Sequence, residues 1–485
     1  MEKKLYLMYP QAKGVIAPEI YGHFTEHIGG VFYDGLWVGR DSSVPNIKGF
    51  RKDVIEKMRQ IKAPVIRWPG GCFAEVYDWR DGIGQQRPIR LNWWKNDDGK
   101  LESNAVGTHE FMDFCEAVGA KAYFAANLTS STPLAVRNWM DYCLSPRGST
   151  TLAMERENNG HPEPFDIPYW GVGNENWGGG GHMLPDFYAH ECRRYTEVMR
   201  NVAPQANFIM CGTDGQKYNW AHGVLPIVGQ YYRETRPIKG YSMHFYCAYG
   251  SDPFPNGQEG WEKIMTSAAR MENMIKRNWN IICGYGMDDH MKLVVDEWGV
   301  WHADGSGPSK GGNLYEQAGT MMDAMVAALT LNIFNNHCDK ISMANIAQLV
   351  NNIHSLFLAS GENCITTPTY HVFDMYKAHQ GATAIETTVT DNTDLLSSVS
   401  VSASVKDGKT LLTIANLSYN EDVSLTLEGV GKDLPDKAVG LLLRSEDVNA
   451  YNTFEAPETV VPKSVMVDLT APITIPKTGI LSLQF

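Results

Sequence analysis

Two stretches set carboxylates against strand-like apolar runs. GVGNENWGGGG (171–181) places Asn174 and Glu175 between the run Ile167–Gly173 and four consecutive glycines. Glycine loses more backbone entropy on ordering than any other residue, so Gly178–Gly181 end the regular segment. LVVDEWGVW (293–301) places Asp296 and Glu297 within a second apolar run. A lone glutamate in such a position is more often a loop anchor than a working acid. A pair has a specific use, because glycoside cleavage needs one carboxylic acid to protonate the leaving oxygen and one carboxylate to face the anomeric carbon. Any acidic rim would show such a pair, so the pair alone leaves both readings open.

Eight short apolar runs are candidate strands able to position these groups. They are EIYGHF (19–24), APVIRWPG (63–70), KAYFAANL (121–128), PYWGVGNEN (168–176), ANFIMCGTD (206–214), GYSMHFY (240–246), MKLVVDEWGV (291–300) and KISMANI (340–346). Between them lie stretches such as THEFMDFCEAVG and DFYAHECRRYTEVMRNV, with apolar side chains three and four apart as in a helix packed on a sheet. Repeated strand–helix units predict an α/β chain built on a (β/α)8 TIM barrel, with a doubly wound sheet as the alternative. Past residue 378, TDLLSSVSVSASVKDGKTLLTIANLSYN alternates apolar and polar residues around the turn Asp407-Gly408. That pattern predicts a C-terminal antiparallel β-sandwich. The expected domains are residues 19–378 for the barrel and 379–485 for the sandwich, with residues 1–18 adding a strand, KKLYLMY, to the sandwich.

Catalytic groups in such barrels gather at the carboxyl ends of the strands. Read that way, strand one leads to His23, Glu26 and His27, and strand two ends at Arg67. Strand four gives Asn174 and Glu175, strand six His244 and Tyr246, strand seven Asp296, Glu297 and Trp298, and Gln348 follows strand eight. Glu175 and Glu297 would then face each other across the barrel mouth.

The composition bounds the partners. A formal charge of −13 on 485 residues argues against nucleic acid or an anionic membrane surface and suits a neutral substrate. Nine scattered cysteines without a CxxC pair read as reduced core thiols rather than a disulfide framework. The opening MEKKLYLMYPQAKG holds too short an apolar patch for a secretory core, and no apolar run is long enough for a membrane span. A cytoplasmic enzyme acting on imported saccharides is expected.

IYGHFTEH, VIRWPGGCFAEVYDWRDGIG, GVGNEN, MHFY, VVDEWGVW and ANIAQLVN, in that order, resemble glycoside hydrolase family 51, mainly retaining α-L-arabinofuranosidases. The resemblance runs over essentially the whole chain. It implies that Glu175 is the acid/base and Glu297 the nucleophile. It also implies that Glu26, Asn174, Tyr246 and Gln348 contact arabinose hydroxyls or orient the nucleophile, with His244 and Trp298 in support. Arg67 would hold Glu297 ionised, since a nearby cation favours the charged form. Cys72 stands where many members have Asn, which weakens one sugar contact, and QQRP follows DGIG where the family usually has a Pro and a longer loop. The resemblance further implies an arabinose-containing oligo- or polysaccharide as partner, a homo-oligomer that is often hexameric, and no cofactor or metal.

Three other readings compete. An endo-β-glucanase or xylan-active enzyme of the same family would share the catalytic pair and differ in the loops. His23-Phe24-Thr25-Glu26-His27 matches H-x-x-E-H, a zinc-hydrolase pattern that works only on a helix. A non-catalytic sugar-binding protein would use tryptophans such as Trp93, Trp94, Trp177, Trp298 and Trp301 for stacking.

Overall fold

The computed structural model describes residues 2–94, 101–231, 236–251, 255 and 257–485. Eight strands form a closed barrel in chain order: Gly22–Phe24, Val65–Trp68, Lys121–Ala126, Tyr169–Val172, Asn207–Thr213, Ile238–Ser251, Lys292–His302 and Ile341–Ile346. Neighbours pair in parallel, with Phe24 opposite Arg67, Arg67 opposite Tyr123 and Ala125 opposite Gly171. Val65–Trp68 is buried along its whole length, and Lys121–Ala126 after its first residue. A parallel strand covered on both faces reads as an unbroken apolar run, which is why these segments stand out in the sequence.

Helices close the outer layer. Thr108–Val118 buries Phe111, Phe114, Cys115 and Val118, and ends at Gly119 with φ of 84°, a left-handed stop that glycine adopts without strain. Pro185–Val202 starts with proline in its first turn, where the missing N–H costs nothing, and buries Tyr188, Cys192, Tyr195 and Met199. Among the described residues, no helix is long and apolar enough to cross a membrane.

By its internal contacts the chain divides into two compact units. One is Gly22–Phe245 with Lys276–Glu297, and the other is Met1–Tyr21, Tyr246–Ile275 and Trp298–Phe485. The second unit holds a nine-stranded sheet in which Glu2–Val15 lies between Thr383–Val389 and Val423–Val430. The two terminal strands share one core, where Ile473 and Ile475 from one end and Val465 and Val467 from the other pack in the cluster of Leu5, Leu412 and Leu425, so the sheet doubles over on itself.

Three expectations need correction. Residues 19–21 are not strand: Pro18–Tyr21 is a 3-10 turn, begun by a proline that fixes φ and lacks a donor, and the first barrel strand is only Gly22–Phe24. The seventh strand continues to His302, so Glu297 lies within it rather than at its end. The sheet is not purely antiparallel, because Glu2–Val15 runs parallel to Val423–Val430, with Leu5 opposite Leu427. Side-chain alternation is the same in either direction, so the sequence pattern does not distinguish them.

Candidate active site

The first compact unit contains a buried polar cluster. Arg67, from the second barrel strand, donates from Nη1 to Glu297 Oε1 at 2.7 Å and from Nη2 to Asn174 Oδ1 at 2.5 Å. Its guanidinium lies over the Phe24 ring, 4.5 Å from the centroid. His244, from the sixth strand, places Nδ1 2.7 Å from Glu175 Oε1 and 3.4 Å from Glu297 Oε2. Its Nε2 lies 3.0 Å from Asp296 Oδ1, and Tyr123 donates its hydroxyl to Asp296 Oδ2 at 2.9 Å. One oxygen each of Glu175 and Glu297 and one nitrogen of His244 lie within 4.8 Å of one another.

The glycines of the sequence motifs make this crowding possible. A Cβ on Gly71 would stand 2.7 Å from Glu297 Oε1, and one on Gly70 would stand 2.7 Å from Glu26 Cγ. Glu26 Oε1 accepts from the backbone N–H groups of Gly71 at 2.9 Å and Phe73 at 3.0 Å. Beyond Glu175 the glycine loop is a tight backbone approach rather than a slack tether. A Cβ on Gly180 would sit 1.7 Å from the Asn174 carbonyl oxygen, and Gly178 N–H donates to Glu175 O at 2.7 Å. Glu175 itself has φ of +44°, left-handed for a residue with a side chain. Such a conformation costs roughly 1–3 kcal/mol and persists only where its surroundings hold it.

Electrostatics separate the acids. Burial pushes Glu26 up to about 7, and the Glu297 charge adds to that. Burial disfavours ionisation of Asp296, but Arg67 and His244 outweigh it and hold the group below its usual value. Burial also disfavours the charge on His244, yet Glu297 and Asp296 raise it well above an ordinary histidine, so the imidazolium donates to both sides. For Glu297 the influences oppose one another. Burial pushes it up, His244 and, as anticipated, Arg67 pull it down, and the net direction is up. Burial pushes the Cys72 thiol up as well; its Sγ lies 3.7 Å from Glu175 Oε2 and accepts from Asn174 Nδ2 at 3.9 Å.

Sequence reasoning missed Glu75. It is fully buried in the 3-10 turn Cys72–Val76, and its carboxylate accepts four N–H groups from the loops beside Asn174. It stands inside the quoted CFAEVYDW stretch, but most of its partners are backbone groups without a sequence signature. Three anticipated site residues, Tyr246, Trp298 and Gln348, belong to the other compact unit. There Tyr246 meets the Trp301 ring edge-on at 5.5 Å, and Trp298 packs edge-on against Phe334 at 5.4 Å as a core side chain. Gln348 is buried and donates its backbone N–H to Ile353 O at 2.5 Å.

The zinc reading of HFTEH is contradicted. His23 lies on a strand rather than a helix, and burial lowers its pKa to about 3. His27 has both nitrogens engaged, Nδ1 3.0 Å from Glu102 Oε2 and Nε2 accepting from Trp68 Nε1 at 3.0 Å. Glu175, His244 and Glu297 form a set with metal-ligand chemistry, but Arg67 already brings positive charge onto Glu297.

A closed barrel presenting two carboxylates this close, with Arg67 paired to Glu297 and His244 between the two, has the arrangement of the barrel glycoside hydrolases. Residues 57–249 match the family model described as α-L-arabinofuranosidase 1 domain, and residues 296–477 that of the α-L-arabinofuranosidase C-terminal domain. The chain is 36% identical to an intracellular exo-α-L-arabinofuranosidase of Bacteroides ovatus, over 98% of this chain and 94% of the relative. A family 51 arabinofuranosidase structure from Xanthomonas axonopodis pv. citri shares 34% identity with a TM-score of 0.91, covering 99% of both chains. The arabinose complex of the Thermotoga maritima α-L-arabinofuranosidase shares 28% identity with a TM-score of 0.87, covering 100% of this chain and 99% of that one. The chain belongs to the α-L-arabinofuranosidases of glycoside hydrolase family 51.

Proposed function

We propose that this enzyme is an exo-acting, retaining α-L-arabinofuranosidase that releases terminal arabinofuranose by double displacement, with Glu175 as acid/base and Glu297 as nucleophile. The observation that supports it best is the separation of the two carboxylates, each with an oxygen within 4.8 Å of the other. Retaining enzymes hold their carboxyl groups roughly 5–5.5 Å apart, whereas inverting ones leave about 6.5–9.5 Å for a water.

In the first step Glu297 attacks the anomeric carbon while Glu175 gives its proton to the departing oxygen, leaving a glycosyl ester on Glu297. In the second, Glu175 takes a proton from water, the water oxygen bonds to the anomeric carbon, and Glu297 leaves as carboxylate. The two displacements together retain the configuration. Arg67 and His244 stabilise the charge that returns to Glu297. Glu26, Asn174 and Cys72 meet the sugar.

The substrates are arabinose-containing saccharides derived from arabinan or arabinoxylan. The domain assignment keeps residues 19–378 as the catalytic barrel, with 1–18 and 379–485 forming the accessory sheet. A cytoplasmic location follows the Bacteroides ovatus relative, which is an intracellular enzyme. A homo-oligomer, hexameric by family resemblance, is expected in light scattering, and a monomer at all concentrations would contradict it. A panel of aryl glycosides tests the activity. Rapid hydrolysis of the α-L-arabinofuranoside and of no β-glucoside, β-xyloside or internal glucan bond is expected, and cleavage within β-glucan chains would replace this reading with the endo-acting one.

A further inference from the structure

We infer that Glu75 is the positioning residue of the acid/base, holding the Asn174–Asn176 turn so that Glu175 points its carboxylate at His244. The inference rests on the reading of Glu175 as acid/base. Two chain segments converge on the Glu75 carboxylate. Its Oε1 accepts from Asn174 N–H at 2.7 Å and Asn176 Nδ2 at 2.8 Å, and its Oε2 accepts from the N–H groups of Leu128 and Thr129, both at 2.7 Å. The residues on either side of Glu175 are therefore tied to the loop that follows the third barrel strand. Glu175 itself takes the left-handed conformation between them, and its side chain reaches His244 Nδ1 at 2.7 Å. The same knot leaves no space at Gly173, where a Cβ would stand 2.1 Å from Asn176 Oδ1 and 3.2 Å from Glu75 Oε1.

Four N–H groups aimed at two oxygens need an acceptor-only group, which an ionised carboxylate is and an amide is not. Burial opposes that ionisation and pushes Glu75 up to about 7, with the four donors pulling the other way. A carboxyl group placed out of reach of solvent and accepting four N–H groups from two loops is explained by what those loops carry.

Glu75→Gln turns an NH2 group toward two N–H donors and releases one side of the turn, while nearly preserving volume. Misplacing Glu175 removes proton donation, which matters for a poor leaving group and little for an acidic phenol. For Glu75→Gln, kcat/KM on an alkyl or saccharide arabinofuranoside should fall roughly 10²-fold, the low end of general acid help, against several-fold at most on the 2,4-dinitrophenyl substrate. A merely structural role would lower both equally. Asn176→Ala, which deletes one of the four bonds, should show the same preference more weakly, and it decides the matter should Glu75→Gln not fold. Equal losses on both substrates, or none, in folded protein would overturn the inference. Glu175→Ala run alongside separates the two claims. If it shows the leaving-group preference and the Glu75 and Asn176 variants do not, only the positioning role fails; if Glu175→Ala lacks the preference, the acid/base reading fails with it.

Discussion

In the nine-stranded sheet, Leu5, Leu412, Leu425 and Leu481 are buried against other apolar side chains, while Glu26, Arg67, Glu75, Asp296 and Glu297 in the barrel unit are equally buried and all carry ionisable groups. The sheet core gains about 25 cal/mol for each Å² removed from water, whatever the neighbour, provided the volume is filled. The barrel cluster gains nothing from burial as such, because each charge is costly unless a partner meets it. Every partner therefore becomes a geometric constraint. Arg67 serves Glu297 and Asn174 together, His244 serves Glu175 and Asp296, and Glu75 serves two loops. One region holds the fold cheaply and loosely specified, and the other spends stability on fixed positions for reacting groups.

The comparison can be broken most severely at Glu297. Glu297→Ala should reduce turnover to background on every substrate, whatever its leaving group, while the protein stays folded by circular dichroism. Residual turnover comparable to wild type on aryl arabinofuranosides would contradict it. In the sheet, Leu412→Ala should do the reverse. Deleting a fully buried leucine costs about 2–5 kcal/mol of unfolding free energy, and kcat per folded molecule should not change.

Glu26→Ala lies between these extremes. Losing one hydrogen bond that an ionised Glu26 carboxylate accepts from a sugar hydroxyl costs about 1.5–3 kcal/mol, so steady-state kinetics should show a drop of roughly ten- to more than a hundredfold. An unchanged rate would remove Glu26 from the site.

The smallest effect is a pH dependence of stability. Glu26 has its pKa raised from 4.5 to about 7, so between those values the folded protein holds a proton that the unfolded chain has lost. Stability from this group is fully present below about pH 4.5 and declines as pH rises to about 7. Melting temperature should fall by a few degrees across that window, since about 1 kcal/mol shifts it roughly 2–4 °C in domains of 150–250 residues and less in a longer chain. Glu75 is raised to about 7 as well, so Glu26→Gln should roughly halve the slope over this window rather than remove it. An equally steep slope in that variant would assign it to other groups.

Much of the barrel was legible because parallel strands buried on both faces are continuous apolar runs, and Lys121–Ala126 and Asn207–Thr213 coincide closely with theirs. The first strand was less legible, since Glu19-Ile20-Tyr21 has strand-like residues but follows Pro18 into a 3-10 turn. Glu175 and Glu297 were legible as side chains of the right type in recognisable motifs. Glu75 was not, because what makes it important is the backbone of Leu128, Thr129 and Asn174, and a backbone N–H looks the same in every sequence. The glycines were half legible. Their places were plain, but whether Gly180 marks slack or contact is decided only by the Asn174 carbonyl lying where its Cβ would be.

The division of roles between the two carboxylates is tested most directly by trapping the intermediate. Glu175→Ala, mixed with 2,4-dinitrophenyl α-L-arabinofuranoside, still undergoes the first displacement, because the departing phenolate needs no proton, but it lacks the base that activates water. Peptide mass spectrometry on the quenched protein should find a pentosyl ester on the peptide carrying Glu297, and added azide should discharge it as the glycosyl azide. Absence of any adduct while the phenol is released without a burst, or a pentosyl group on a residue other than Glu297, would contradict the account.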